Sequence, residues 1–551
     1  MTFIITLFGS PKQRRPVRRI ALLACAGGLL FGAAGATAET LMDAVTAAYG
    51  SNPDLVAQRF RQKAQNETYV QTRAQYGPQL SLEARAEYSY TKYGDELRRI
   101  RGRSTDGNQG DLSLNLRQPV YTGGRVRGAL AQARANVRAS EETLRRAEGQ
   151  IIRDVILAYA AVLRDRQRLD VARQNVMVLR DRMAETRARR RVTDVTVTDL
   201  AQADLRLAAG ESQLANAESQ LAISEGEYLR IIGNSPGELA PLPTLPGLPD
   251  SIDEALTIAD TENALLARAR FAEEASRANI AEQRGNQRPT ATISAEARKV
   301  GQLSPFNRRD YNTDVVASIT VTQPLFQAGA IRSRIRQAQA DNSADQAAVD
   351  AERRQALQDV VTAWSALSSN RVAVVSGTRQ VESAQVAFAG MQREERFGLR
   401  STIEVLNAEQ ELASSQLGLL GNRFQEYVSR ADLLLAMGRL DARTVNAAIP
   451  AVDPDAEFKR VRWRGMLPIE PVVMMIDHVA SASPNSKRKP DLRGANQPKP
   501  MTAPKLPPQP SAAYLEKTMV PITQSPLLSP DQLPPSLQVE RAPSAGKDAP
   551  R

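Results

Sequence analysis

The chain contains two copies of one sequence pattern, each about 200 residues long, which is far beyond the 20–50 residues of a solenoid repeat. Gln118-Pro119-Val120-Tyr121 matches Gln323-Pro324-Leu325-Phe326, 205 positions later. The same offset relates Asp154-Val155 to Asp359-Val360, Asp199 to Glu404, and Gly233 to Gly438. Upstream the offset is 211, as between Asn52 and Asn263. The sequence therefore predicts two units with the same order of elements, a first repeat over 39–245 and a second over 246–445.

Each copy contains two segments in which apolar and polar residues alternate, as in β-strands. Alternation over about 10 residues is typical of strands in an outer-membrane barrel. The alternative is a half-buried hairpin on a soluble domain. The apolar positions are Leu80, Leu82, Ala84, Ala86, Tyr88, Tyr90, Leu112, Leu114 and Leu116 in the first copy, and Ala291, Ile293, Ala295, Ala297, Val315, Ala317, Ile319 and Val321 in the second.

Two very long helices are predicted after the strands of each copy. From Arg125 to Arg191 there is no proline, and apolar residues recur in steps of three and four, as in coiled coils. A helix of roughly 65 residues spans about 100 Å. The chain of the second copy is predicted to run out over Gln337–Arg396 and to return over Thr402–Met437. Such a rod indicates a tube, a stalk or a scaffold rather than a catalytic core.

The N-terminal residues 1–38 have the features of an export signal. Basic residues up to Arg19 precede an apolar run, and Ala36-Thr37-Ala38 stands directly before Glu39. The alternative is a lipobox, in which Cys25 carries a lipid. An exported chain without an apolar run long enough to span a bilayer is periplasmic, secreted or an outer-membrane barrel protein.

Proline marks the C-terminal part of the chain. Of the 32 prolines, 19 lie from Pro450 onward, with lysine, serine and glutamine between them. Such a composition buries too little apolar surface to fold. Residues 446–551 are therefore predicted to form a disordered tail.

The charge and the rare residues exclude several functions. The net charge is +11, but residues 1–38 contribute +5 and residues 450–551 contribute +4, so the body carries only +2. This distribution argues against nucleic acid as a partner. Cys25 is the sole cysteine and His478 the sole histidine. Disulfide frameworks, zinc sites and Ser-His-Asp triads need residues that this chain lacks. We therefore predict that the protein is not an enzyme and binds no cofactor.

The number of strands indicates an oligomer. Four predicted strands per chain cannot close a membrane barrel, because the smallest closed barrels have eight. Open sheet edges are not tolerated in lipid. Several chains are therefore expected to share one barrel.

Three motifs resemble the TolC family of outer-membrane export channels. They are Glu39-Thr-Leu-Met-Asp-Ala-Val-Thr-Ala-Ala-Tyr-Gly-Ser-Asn-Pro-Asp-Leu, the two Gln-Pro turns, and Phe397-Gly-Leu-Arg-Ser-Thr-Ile-Glu-Val-Leu-Asn-Ala. The resemblance covers about 39–445, and the first motif is similar to members that serve type I protein secretion. It implies an α+β membrane protein: a trimeric outer-membrane β-barrel with four strands per chain, which continues into a periplasmic α-helical coiled-coil barrel.

The resemblance also implies a function. The chain would be the outer-membrane channel of a tripartite exporter, a passive conduit for protein secretion or small-molecule efflux. Its partners would be two further copies, a periplasmic adaptor, an inner-membrane ABC or RND transporter, and outer-membrane lipid. The alternative is a structural coiled-coil stalk in the envelope, without channel activity, which should extract without detergent. An envelope enzyme with a carboxylate pair is disfavoured because no loop-built site is apparent.

The resemblance assigns candidate site residues to the far ends of the long helices. The periplasmic gate would be formed by Arg400, Glu404, Asn407 and Asp199, where the family often places an arginine and two acids. With asparagine at one acid position, we expect weaker cation affinity. The tips that contact the adaptor would be Phe397-Gly398-Leu399 and, in the first copy, Val192-Thr193-Asp194.

Four prolines mark the predicted transition between barrel and helices. Pro78 and Pro289 precede the outgoing strands, and Pro119 and Pro324 are expected to end the returning strands. Proline cannot donate to a sheet ladder, so it suits a point where pairing stops.

Overall fold

The structure, a computed structural model, describes residues 38–101, 104–192, 195–302, 311–442 and 454–481. The described residues from Glu39 onward belong to one compact unit. The statements below concern the described residues of that unit. The predicted export signal, including Cys25, lies outside the described residues.

The two repeats share one order of elements, with two differences from the prediction. The first helix of each is divided in two, and, among the described residues, a short helix lies between the strands of the first repeat only. The first repeat comprises α1 (Leu41–Ser51), α2 (Pro53–Arg73), β1 (Gln79–Lys92), α3 (Asp95–Arg101), β2 (Ser104–Tyr121), α4 (Arg125–Arg191) and α5 (Val197–Ile232). The second comprises α6 (Ile252–Glu262), α7 (Ala264–Gly285), β3 (Thr290–Gln302), β4 (Tyr311–Thr322), α8 (Ala330–Arg396) and α9 (Thr402–Met437). Two further helices, α10 (Pro454–Val461) and α11 (Ile469–Ser481), follow.

Matching asparagines divide the first helix of each repeat. The Asn52 carboxamide oxygen accepts hydrogen bonds from the backbone N–H groups at the start of α2, while its amide group donates to the Ile231 carbonyl at 3.0 Å. Asn263 caps α7 in the same way and donates to the Ala436 carbonyl at 2.9 Å. Asparagine is a favoured N-cap because its side chain satisfies N–H groups that lack a partner within the helix. Each asparagine also ties a short helix to the end of a returning long helix.

The long helices form antiparallel pairs, α4 with α5 and α8 with α9. The bounds of α4 and α9 are those predicted from the apolar spacing, whereas α8 begins seven residues before the predicted Gln337. The main core lies where α1 and α6 pack on the middle of α4 and α8 and on the last turns of α5 and α9. In the described part of the chain, no helix is long and apolar enough to cross a membrane.

The four strands form one antiparallel sheet in the order β1-β2-β3-β4. Residues directly opposite each other share a face, so Leu82, Leu114, Ala297 and Val315 lie on one apolar face. Polar residues such as Ser113 and Ser294 lie on the other face. Among the described residues, β1 and β4 each have one edge without a strand partner.

The prolines border the strands, with one correction. Pro78 and Pro289 directly precede β1 and β3, and β4 ends two residues before Pro324. The expectation that Pro119 ends its strand is wrong, because β2 continues to Tyr121. A register shift between Pro119 and Tyr121 makes this possible, and it pairs Tyr121 with Ala291 on the apolar face. A bulge accommodates a residue that cannot donate to the ladder.

The prediction of disorder over 446–551 is wrong for residues 454–481, which form α10 and α11. Phe458 packs edge-on against Tyr69, with 5.0 Å between the ring centroids. Arg73 forms a buried ion pair with Glu470 at 3.1 Å. Composition did not reveal this order because it depends on contacts with distant residues of α2. Residues 482–551 lie outside the described part.

Candidate functional site: the far ends of the long helices

The turn between α8 and α9 is shaped by a glycine and by two exposed apolar side chains. Gly398 has φ +73°, a conformation that favours glycine. This conformation lets the Leu399 N–H donate back to the Glu394 carbonyl at 2.9 Å and close the end of α8. Phe397 and Leu399 are 81% and 74% exposed. The structure thus presents two large apolar side chains at the end of the rod.

Arg400 and Glu404 lie together in this turn. One guanidinium nitrogen of Arg400 lies 2.8 Å from the Glu404 carboxylate and another lies 2.8 Å from the Glu394 carboxylate. All three side chains are exposed, so the pairs contribute little stability. The arginine nevertheless connects the last turn of α8 to the first turn of α9.

Glu404 also caps the start of α9. Its carboxylate accepts hydrogen bonds from the Ser401 N–H at 2.9 Å and from the Ser401 hydroxyl at 2.8 Å. The pKa of Glu404 is lowered to about 2, most by the hydrogen bond from the Ser401 N–H, then by that from the Ser401 hydroxyl and by that from the Arg400 guanidinium. The side chain is therefore charged across the physiological pH range.

Asp199 has the matching position in the first repeat. Its carboxylate accepts hydrogen bonds from the Thr196 hydroxyl at 2.7 Å and from the Thr196 N–H at 2.9 Å, and these bonds, the hydroxyl first, lower the pKa of Asp199. The two candidate gate acids are thus the third residues of capping boxes at the starts of α5 and α9. This capping role was not predicted, although the Thr-x-x-Asp and Ser-x-x-Glu spacings in the sequence indicate it.

The first-repeat turn is described as far as Val192. Val192 ends α4 with φ −100°, close to the −93° of Phe397 at the end of α8, and is 75% exposed. Thr193 and Asp194, the other predicted docking residues of this tip, lie outside the described residues.

Asn407 links the two returning helices. Its carboxamide oxygen accepts a hydrogen bond from the Arg206 guanidinium at 2.7 Å, which joins α9 to α5. The structure therefore brings Arg400 and Glu404 together, and it places Asn407 in a separate contact one helical turn further along.

A buried acid near the tip was not predicted. Glu409 is 6% exposed, and neither of its carboxylate oxygens has a hydrogen-bond partner among the described residues. Burial raises its pKa to about 7, while the charge of nearby Arg182 opposes this shift. Arg182 itself lies 3.5 Å from Glu395 of α8. Glu409 lies four residues after Val405 on the apolar face of α9, and this position is the sequence feature that could have indicated its burial.

The fold and these tips define a class of protein: a membrane channel subunit in which a short sheet continues into long helical hairpins. The chain belongs to the outer membrane efflux protein family, whose model matches residues 44–234 and 256–439. The protein is accordingly an outer-membrane export channel that extends into the periplasm.

Curated relatives agree with this assignment. The chain is 27% identical to outer membrane efflux protein BepC of Brucella suis over 80% of this chain and 94% of BepC. It is 24% identical to the proteases secretion protein PrtF of Dickeya chrysanthemi, over 78% of this chain and 93% of PrtF.

Solved structures confirm the predicted fold. The Campylobacter jejuni CmeC outer membrane channel superposes with a TM-score of 0.64 at 14% identity, over 77% of this chain and 89% of that one. The open state of the Neisseria gonorrhoeae MtrE channel gives a TM-score of 0.61 at 19% identity, over 73% and 90%.

Proposed function

We propose that three copies of this chain assemble head to tail into one channel, a passive conduit for proteins or small molecules across the periplasm and the outer membrane. The observation that carries this proposal is an asymmetry between the repeats. Among the described residues, the first repeat has neighbours on both sides, whereas the second repeat lacks one of them.

The asymmetry is clearest in the outgoing helices. α4 and α8 are each 67 residues long and fully described, yet 23 residues of α4 are buried and only eight of α8. α2 and α7 are the helices that precede the first strand of each repeat. Among the described helices, α4 packs against both of them, whereas α8 packs against α7 alone of these two. A second copy would supply the missing contact, because its α2 is the counterpart of α7.

Two matching phenylalanines locate this contact. Phe271 of α7 is half-buried, and the Arg138 guanidinium of α4 lies 5.6 Å from its ring centroid. Phe60 is its match in α2, 211 positions earlier, and is 63% exposed. The greater exposure of Phe60 supports an arrangement in which α8 of a neighbouring copy packs against α2 and covers this ring. The free edges of β1 and β4 would meet in the same arrangement.

Head-to-tail contacts of this kind close into a ring. Three chains with four strands each give twelve strands, within the range of closed outer-membrane barrels. The number three comes from the resemblance, since two chains would already supply eight strands.

The exposed tips support a partner at the periplasmic end. Large exposed apolar side chains mark interaction sites, so we assign Phe397 and Leu399, with Gly398 between them, to contact with a periplasmic adaptor. Val192, Thr193 and Asp194 would form the corresponding first-repeat contact. An inner-membrane transporter, of the ABC or the RND type, would supply the energy that a passive channel lacks.

Replacing Phe60 by arginine tests the assembly. If Phe60 packs against α8 of a neighbouring copy, Phe60→Arg loses burial of about 2 kcal/mol per contact and places a charge in the interface. We expect a shift from trimer to monomer on size exclusion in mild detergent. Phe60→Leu, which stays apolar, should assemble like the parent chain. Full assembly of Phe60→Arg would place α2 outside the interface.

The gate assignment predicts an effect on conductance in planar bilayers. Three Glu404 carboxylates around one entrance would concentrate cations, so Glu404→Ala should weaken divalent-cation block and reduce cation selectivity. Arg400→Ser should raise conductance moderately by releasing the link between α8 and α9. A stalk without channel activity would show no conductance in any variant.

Glu404→Gln separates the charge of this residue from its capping role. Glutamine can still accept the Ser401 N–H hydrogen bond, so this variant retains the helix start without the charge. It should match Glu404→Ala in selectivity and block. Parental selectivity in Glu404→Gln would remove Glu404 from the gate.

A further inference from the structure

We propose that α11 is an interfacial helix, which lies on the periplasmic surface of the outer membrane with its exposed apolar side chains among phospholipid acyl chains. The observation that leads to this proposal is the arrangement of polar and apolar residues around α11, together with its position at the end of the sheet.

α11 buries its acids, together with Val473, on one side and exposes a row of large apolar residues on the other. Glu470 is 3% exposed and pairs with Arg73, and Asp477 is fully buried. The Asp477 carboxylate accepts hydrogen bonds from the Thr122 N–H at 2.9 Å, the Gly124 N–H at 3.1 Å and the Tyr76 hydroxyl at 3.0 Å. The large apolar side chains on the opposite side of the helix are exposed, namely Val472, Met475, Ile476 and Val479.

This exposure is unfavourable in water. Each buried apolar side chain contributes about 1.5–3 kcal/mol relative to exposure, and a row of four on one helix is an interaction surface rather than scattered surface residues. Neither acid of α11 lies on that surface. Helices that lie in a membrane interface combine an apolar face with a polar one in this way.

The position of α11 identifies lipid as the occupant. Gln118 pairs across the sheet with Ile293 and so belongs to the apolar face, and its amide group donates to the Tyr76 carbonyl at 2.9 Å. Tyr121, placed on the same face by the bulge, has its hydroxyl 3.4 Å from the Ala480 carbonyl. The end of α11 therefore adjoins the apolar face of the sheet at the point where the strands give way to the periplasmic helices.

Continuity with that face favours lipid over protein. In an outer-membrane channel the apolar face of the sheet faces the bilayer, and α11 extends this surface where the bilayer ends. This continuity suits a phospholipid surface.

Site-specific fluorescence tests the proposal on the full chain, assembled in vesicles of phosphatidylethanolamine and phosphatidylglycerol. An environment-sensitive dye is attached to Val479→Cys, and quenching is measured with nitroxides at a shallow acyl position of the lipid. The matched control is Val192→Cys, since Val192 is similarly exposed (75% against 70%) but lies at the far end of α4, about 100 Å away. The parent chain, whose sole cysteine is Cys25 of the predicted export signal, sets the background.

We expect nitroxides in the lipid to quench the dye at position 479 several-fold more strongly than the dye at position 192. Iodide in the water should quench the dye at position 192 more strongly. Val315→Cys, on the apolar face of β4, gives the reference for a lipid-facing site. Met475→Cys and Met177→Cys, 61% and 59% exposed, form a second matched pair if the first fails to assemble.

Two results would overturn the proposal. Strong iodide quenching of Val479 without lipid-borne quenching would leave this face in water. Protection from both quenchers would show that protein covers it, and a chain ending at Ser481 would then distinguish residues 482–551 from a neighbouring copy as the cover.

Discussion

Asp477→Ala should detach α11 from the junction between sheet and helices and destabilise this region by about 3–5 kcal/mol, the usual effect of removing one partner from a buried charged network. The Asp477 carboxylate satisfies the N–H groups of Thr122 and Gly124, which shape the turn from β2 into α4. Without it, these donors and the Tyr76 hydroxyl would lie buried without that acceptor.

Limited proteolysis and thermal unfolding of the detergent-solubilised protein measure this effect. Asp477→Ala should release residues from 454 onward to trypsin, which can cleave after Lys459, Arg460, Arg462 and Arg464. His478→Ala is the matched control, because His478 is the next residue of α11 and is exposed. Its effect should stay within about 0.5 kcal/mol. Equal protease resistance of the two variants would contradict the role assigned to Asp477.

Gly438→Ala should destabilise the protein by about 1–3 kcal/mol more than Gly233→Ala, although the two glycines match in the repeats. Both end a returning helix in the left-handed conformation, with φ +83° and +96°. Alanine therefore loses about 1–2 kcal/mol at either position. At Gly438 a Cβ atom would also lie 2.3 Å from the Glu262 carbonyl oxygen, whereas at Gly233 the nearest atom would be 3.7 Å away.

Chemical denaturation of the two variants in parallel gives the difference in free energy of unfolding directly. Because the backbone strain is common to both, the excess at Gly438 reports only the close approach of α9 to the end of α6. Equal destabilisation would show that this approach relaxes at no cost.

The parts of the fold that follow from local periodicity could be predicted from the sequence. The apolar spacing placed the ends of α4 and α9 at the observed residues, and the alternation around Leu82 and Leu114 located β1 and β2. These patterns work because a long coiled-coil helix and a half-exposed strand each show a period that few other structures share.

Contacts between distant residues could not be predicted in this way. The order of residues 454–481 depends on Glu470 and Asp477, whose partners lie about 350–400 positions earlier. A proline-rich composition carries no signal of such pairs. The burial of Glu409 likewise depends on how α9 packs against α4.

The contacts of Arg400 and Glu404 in the candidate gate are local in the sequence. The Arg400–Glu404 pair joins residues only four positions apart in the sequence, with Arg400 in the turn that precedes α9. The capping role of Glu404 was also encoded locally, in Ser401-x-x-Glu404, but it explains the acid without reference to a pore. The two roles are compatible, and Glu404→Gln distinguishes them.

The number of chains that share one outer-membrane channel can be counted by native mass spectrometry of the protein extracted from outer membranes in mild detergent. We expect a single species with the mass of three chains, each processed at its N-terminus. A monomer recovered from the soluble periplasm, or a dimer in detergent, would contradict this expectation.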